Sequence, residues 1–265
     1  MLASRAVAAG WAVHGTFHSG PSTVDGVSWA PLDVTSSSDV TALFERVRPS
    51  AVVHAVGVLG NSAGSLAENW AVNAVGAALV ARAATAQGAR LVHMSSDAVH
   101  SGRSEPYTEA DDPSPVYPYG AAKAAAETAV SSVAPGAVLV RTSLIVSGGR
   151  YPLSRNERFA LALGRGEVGG ALFTDEIRCP VAVDDLADAL LALVPSDFAG
   201  VLNVAGPRPL SRYDLGVLVA RRNGVDPARL PAGTIASSGM SRPGCVWLDC
   251  SLAERVLGTV PRPLD

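Results

Sequence analysis

Apolar positions along this chain follow two alternating rhythms. Trp11–Thr16 alternates as a short strand does, whereas "AVVHAVG" (Ala51–Gly57) is a continuous apolar run of strand length, the pattern of a strand buried on both faces. Arg90–Ser95 and Ala137–Thr142 read as further strands. Between them lie helical stretches. One runs from Met1 to a glycine stop at Gly10. Another opens at Ser36-Ser-Ser-Asp39, which resembles a capping box, and continues to about Arg48. An Ala-rich helix extends from about Ser65 to Gln87, and a further one from Tyr119 to Ser131. Strand and helix in turn predict an α/β fold with a parallel sheet covered on both faces.

Beyond Ser143 the texture changes, and Gly, Pro and Arg punctuate shorter elements. We expect helices near Asn156–Leu163 and Asp184–Leu193, and strands near Ala171–Phe173 and Val201–Val204. Another helix is opened by Ser211-x-x-Asp214. Residues 146–179 and 206–265 read as a smaller lobe. Residues 1–145, with 180–205 contributing, form the main domain.

Composition narrows the function. With 48% hydrophobic and 17% charged residues, the 265-residue chain suits a folded domain with one added lobe. A net charge of −3 and the absence of any basic run argue against a nucleic-acid partner. The longest apolar stretch, Ala71–Ala86, is broken by Asn73 and Arg82, which argues against a membrane span. Cys179, Cys245 and Cys250 are dispersed, without metal-ligand spacing, so a reducing cytoplasm is the expected compartment and no metal is expected.

One compositional detail is sharper. Of the 21 basic residues, 20 are arginine and one is lysine, Lys123. Tyr119 stands four places before it, on the same helical face. With five tyrosines in 265 positions, chance places one there about 2% of the time. An ammonium beside a phenol stabilises the phenolate and lowers its pKa toward working pH. Such a tyrosine can donate a proton to a carbonyl oxygen or take one from a hydroxyl. Lysine suits this better than arginine, being a compact point charge with donors for a neighbouring ribose. Ser96, at the end of a buried strand, could hold the substrate oxygen. His54 and His93 lie in or beside apolar strands and read as packing residues, and Asn73 as a local backbone partner.

These pieces resemble an extended short-chain dehydrogenase/reductase, nearest to the dTDP-4-dehydrorhamnose reductase (RmlD-like) branch. The resemblance is carried by "LDV" (Leu32–Val34), "AVVHAVG" (Ala51–Gly57), "NWAVNAVGAALVARAA" (Asn69–Ala84) and "MSSDAVHSG" (Met94–Gly102). It continues through "YTEADDPSPVYPYGAAKAAAE" (Tyr107–Glu127), "VLVRTSLIVSGG" (Val138–Gly149) and "PVAVDDLADALLAL" (Pro180–Leu193). It implies a Rossmann-type doubly wound parallel sheet binding NAD(P), with a small C-terminal lobe for a nucleotide sugar. It also implies a catalytic Ser96–Tyr119–Lys123 set. Asp33 and Val34 would lie near the adenine, Ala55, Val56 and Gly57 along the cofactor, and Thr142 and Ser143 near the nicotinamide. Members of this family open with a strand and a GxxGxxG turn. The resemblance therefore places a first strand and glycine loop, roughly ten to twelve residues, ahead of Met1, and favours a start upstream of the one given. Without that strand, two rows of backbone groups would face each other unpaired in mid-sheet.

Related dehydratases carry Asp–Glu after the Ser/Thr; here the pair is Asp97–Ala98, so simple reduction of a keto sugar fits better. An epimerase using the same set, or a non-catalytic regulatory subunit, are the alternatives. His18 and Ser19 stand where NAD-preferring enzymes carry a carboxylate, which leans toward NADP over NAD. Arg178 stands where it could take a sugar-nucleotide diphosphate or pair with Asp175 or Glu176. A homodimer is compatible with the sequence.

Overall fold

The structure is a computed structural model and describes residues 1–20, 22–58, 66–149, 151–259 and 261–264. The chain divides into two compact units. The first comprises Met1–Ser96, Pro118–Arg141 and Ala187–Leu202, and the second Asp97–Tyr117, Thr142–Leu186 and Asn203–Asp265. The second unit takes residues 97–117, which chain order alone would keep with the first.

The first unit begins with helix α1 (Leu2–Ala8), then strands β1 (Val13–Phe17) and β2 (Val27–Pro31), which pair in parallel. Helix α2 (Ser37–Val47) follows, with Ser36 as its N-cap: its hydroxyl accepts from the Asp39 N–H, as the capping pattern predicts. Strand β3 (Ala51–His54), β4 (Arg90–Met94) and β5 (Val138–Arg141) pair in parallel in that order, and β10 (Gly200–Asn203) lies outside β5. The long Ala-rich segment is α3 (Leu66–Trp70), a π-helical run (Ala71–Gly76) and α4 (Ala77–Ala86). Its expected start at Ser65 lies outside the described residues. Helix α5 (Pro118–Val133) opens with proline, whose missing N–H costs nothing in a first turn. Apolar faces of α2, α4 and α5 close on the sheet through Val40, Phe44, Val80, Ala84, Ala126 and Val130.

Pairing in this unit is split. Among the described residues β1 pairs with β2 alone, and β3 with β4 alone. A cavity of about 820 Å³ opens between the two pieces, lined by Trp11, Gly15 and Trp29 on one side and by Val52, His54 and Val56 on the other. Gly15 is required here, because a Cβ would come within 2.4 Å of the Trp29 ring.

The second unit is built from short pieces: β6 (Ile145–Val146) pairs with β9 (Val181–Ala182), and β8 (Ile177–Arg178) with β11 (Leu210–Ser211). Strand β7 (Leu172–Phe173) pairs with residues 232–233. Helix α6 (Arg155–Arg165) carries a full capping box of Ser154 and Glu157, and α8 (Arg212–Arg222) is capped by Ser211. Helix α7 (Val183–Leu193), led by Asp184 and Asp185, starts in this unit, and its residues from Ala187 on belong to the first. Leu161, Leu172, Leu215, Val219 and Leu230 form the core of the second unit with Val146. No helix among the described residues is long and apolar enough to cross a membrane.

Candidate active site

Parallel strands point their carboxyl ends the same way, and in open α/β sheets ligands bind beyond those ends. In the first unit that edge carries most of the expected site. His18 and Ser19 follow β1, Asp33 and Val34 follow β2, Ala55–Gly57 follow β3, and Ser96 follows β4.

Tyr119 and Lys123 lie one turn apart on α5, Tyr119 half-buried and Lys123 only 3% exposed. The Lys123 ammonium donates to the Met94 carbonyl at 3.0 Å, two residues before Ser96. That bond seats the helix face against the strand end. Burial pushes the Lys123 pKa down to about 8, with the Glu127 carboxylate opposing the fall. Lys123 also underlies the loop after β3: a Cβ on Gly57 would lie 3.6 Å from its Nζ and 3.1 Å from Asn73 Oδ1. A side chain at position 57 would press on Asn73 Oδ1 and sit in contact with the ammonium, so the glycine keeps the backbone close.

Asn73 holds this loop from the π-helical run. Its Oδ1 accepts from the Val58 N–H at 3.2 Å, its Nδ2 donates to the Val58 carbonyl at 2.9 Å, and Nδ2 also reaches Asn69 Oδ1 at 3.2 Å. A π-helical run widens one turn and re-aims the side chains on it, which is why such runs recur at functional sites. Asn73 thus bonds backbone, but that of a loop 15 positions away rather than the local one expected.

At the far end of the sheet, Asp33 accepts from the Thr35 N–H at 2.9 Å and hydroxyl at 2.7 Å. Those bonds, with a smaller contribution from His18, hold its carboxyl below the usual range. Val34 is buried under Gly76 of the π-helical run, where a Cβ would come within 2.9 Å of Val34 Cγ2. His18 and Ser19 are exposed.

Thr142, Ser143 and Arg178 belong to the second unit. The Thr142 carbonyl accepts from the Asp97 N–H at 2.7 Å, while its hydroxyl is buried and finds no partner among the described residues. Ser143 donates to Asp97 Oδ2 at 2.7 Å and accepts from the Cys179 N–H at 3.2 Å. Arg178 is buried, donating to the carbonyls of Ile177 and Gly244 at 2.7 Å and Pro243 at 2.9 Å, with Glu176 and Asp97 as ion partners at 3.4 and 3.6 Å. These contacts bind it into its own unit.

Arg212 and Arg242 drew no notice in the sequence. They line a second-unit cavity of about 400 Å³ with Phe159, Phe173, Glu176 and Met240. One Arg212 guanidinium nitrogen donates to Asn156 Oδ1 at 2.8 Å, and another is buried without a partner among the described residues. Burial and the neighbouring cations Arg178 and Arg242 lower the Arg212 pKa, against Glu176. The signal that could have found them is weak, since both sit among ordinary surface-like arginines in a lysine-poor chain.

Comparison with known proteins identifies the family. Residues 2–264 match the family described as RmlD substrate binding domain. A dTDP-4-dehydrorhamnose reductase of Mycobacterium tuberculosis is 36% identical over 180 residues, 66% of this chain and 58% of that protein. The match thus spans under two thirds of that relative's length. A dTDP-4-keto-6-deoxy-D-glucose reductase of Streptomyces niveus is 31% identical over 219 residues, 80% of this chain and 75% of that one. Among solved structures, a dTDP-4-dehydrorhamnose reductase from Bacillus anthracis in complex with NADP superposes with a TM-score of 0.80, at 23% identity and 95% coverage of each chain, and shares the fold. With a Rossmann-type sheet, and a family match running nearly from end to end, the chain belongs to the RmlD substrate-binding domain family.

Proposed function

We propose that this protein reduces a nucleotide-linked 4-keto-deoxysugar with NADPH. The observation that carries the proposal is the Tyr119–Lys123 pair on one face of α5, with the ammonium bound to the end of β4 and roofed by Gly57. That the relatives from M. tuberculosis and S. niveus are reductases of dTDP-linked 4-keto sugars supports it.

The residues present fit the nicotinamide end of a dinucleotide. The Lys123 ammonium has three N–H donors and, among the described residues, uses one on Met94, leaving donors for ribose hydroxyls. His18 and Ser19 put no carboxylate beside β1 to repel a 2′-phosphate, which favours NADPH. When bound, the reduced nicotinamide supplies the hydride. Ser96 would hold the substrate carbonyl oxygen by a hydrogen bond, and Tyr119 would deliver the phenolic proton to that oxygen as negative charge develops on it. Lys123 would stabilise the phenolate left behind, and Asn73 would keep the loop 55–58 closed over the ammonium. Within the second unit, Arg212 and Arg242 with Phe159 and Phe173 beside them form a cluster whose chemistry suits a diphosphate and a base. Asp97, followed by Ala98, leaves no base placed for dehydration.

The test is direct. NADPH is mixed with the protein and a dTDP-4-keto-6-deoxyhexose, and cofactor consumption is followed beside chromatography of the sugar nucleotide. Reduction consumes one NADPH for each dTDP-6-deoxyhexose formed. Conversion between sugar isomers with no net consumption of cofactor would instead establish an epimerase.

A further inference from the structure

Directly behind the candidate site lies a pair of buried charges to which the reaction assigns no part. Glu127 is 5% exposed and Arg141 2%. A buried ion pair is poor evidence of stabilisation, because desolvation offsets most of its attraction and apolar replacements are often neutral. Its geometry points elsewhere. Arg141 Nε donates to Glu127 Oε1 at 3.0 Å and a terminal nitrogen to Oε2 at 2.8 Å, a two-pronged clamp. Glu127 Oε1 also accepts from the Ser95 hydroxyl at 2.5 Å. Ser95 stands between Met94, whose carbonyl accepts a hydrogen bond from Lys123, and Ser96. On α5, Tyr119, Lys123 and Glu127 succeed one another at four-residue steps along one face.

Resting on the reductase reading above, we propose that Glu127, clamped by Arg141, is the positioning residue of the Ser96–Tyr119–Lys123 site. One carboxylate fixes the end of β4 against the face of α5 and keeps the Lys123 ammonium charged. The groups acting on Lys123 bear this out. His54 on β3 and His93 on β4 are both driven toward the neutral form by burial. Arg141 on β5 pairs with Glu127. Glu127 is the carboxylate that counters the burial of the ammonium. Apolar cover alone would favour a neutral amine, which cannot stabilise a phenolate.

Lys123 is the only lysine of the chain, so protein labelled in lysine side chains yields a single side-chain resonance that can be titrated without ambiguity. We expect its midpoint to fall by about one unit, a tenfold loss of ionised fraction, in Glu127→Gln. The doubly neutral Glu127→Gln/Arg141→Gln chain avoids a stranded buried guanidinium and should show a fall of the same sign. Glu127→Asp, which keeps the charge, should stay near the wild-type midpoint. A wild-type midpoint in the doubly neutral chain would overturn the proposal, whatever the change in thermal stability. The titration needs neither substrate nor cofactor. A chain inactive on keto sugars would sink the reductase reading and leave this result standing, so the two failures are told apart.

Discussion

At the scale of single residues, burial decides which groups carry charge. Lys123 remains the cation under Gly57 although burial lowers its pKa to about 8. His54 and His93 stack at 5.2 Å between ring centroids, in the first unit's sheet. Burial pushes His54 down to about 3, and His93 well below its ordinary value. In the unfolded chain both take up protons near pH 6.5, so between that value and about 3 the unfolded state binds more protons. Their neutral burial is therefore tolerated above pH 6.5 and opposes folding increasingly as pH falls. His93 finds no partner for either ring nitrogen among the described residues. We predict that His93→Leu changes stability at pH 7 by no more than about 1 kcal/mol and flattens the acid limb, read by urea unfolding from pH 7 to pH 5. An unchanged pH slope would refute the assignment.

Elements position these residues, and the sequence showed them unevenly. The caps at Ser36 and Ser211, the buried strands and the Tyr119–Lys123 face were all legible, because each depends on local chemistry or on a period. Strand β2 was not: "VSWAP" follows a glycine and ends on a proline, and its pairing with β1 depends on a partner that local pattern does not reveal. Nor was the π-helical run, since nothing in the local pattern of Ala71–Gly76 marks a widened turn. Its purpose shows only in space, where Asn73 grips the Val58 backbone. Glu127 drew no notice in the sequence, because its partners Arg141 and Ser95 come from β5 and from the end of β4. We predict that Asn73→Ala loses about 1–3 kcal/mol by stranding two backbone groups. It should also weaken NADPH binding, because the loop over Lys123 is released. Denaturant unfolding and a fluorescence titration of the cofactor measure the two effects separately. Full affinity for NADPH in a destabilised variant would show that the loop takes no part in binding.

For the whole molecule the telling feature is the first unit's divided pairing. β1 and β3 each have one strand neighbour among the described residues, and a cavity of about 820 Å³ lies between them. Strand groups paired on one side only open to solvent more readily than those paired on both. Backbone amides of β1 and β3 should therefore exchange with solvent well before those of β4 and β5 in the 265-residue chain. Equal protection across all four strands would mean that the division seen here is closed in solution. The family match over residues 2–264, with the Tyr119–Lys123 face intact, nevertheless makes proton delivery by Tyr119 the centre of the account. The most direct measurement of it compares wild-type and Tyr119→Phe protein, following NADPH oxidation by a dTDP-4-keto-6-deoxyhexose. We predict that loss of the hydroxyl slows turnover by about 10²–10⁴-fold while the NADPH dissociation constant stays as it was. Wild-type turnover in the phenylalanine variant would contradict the account.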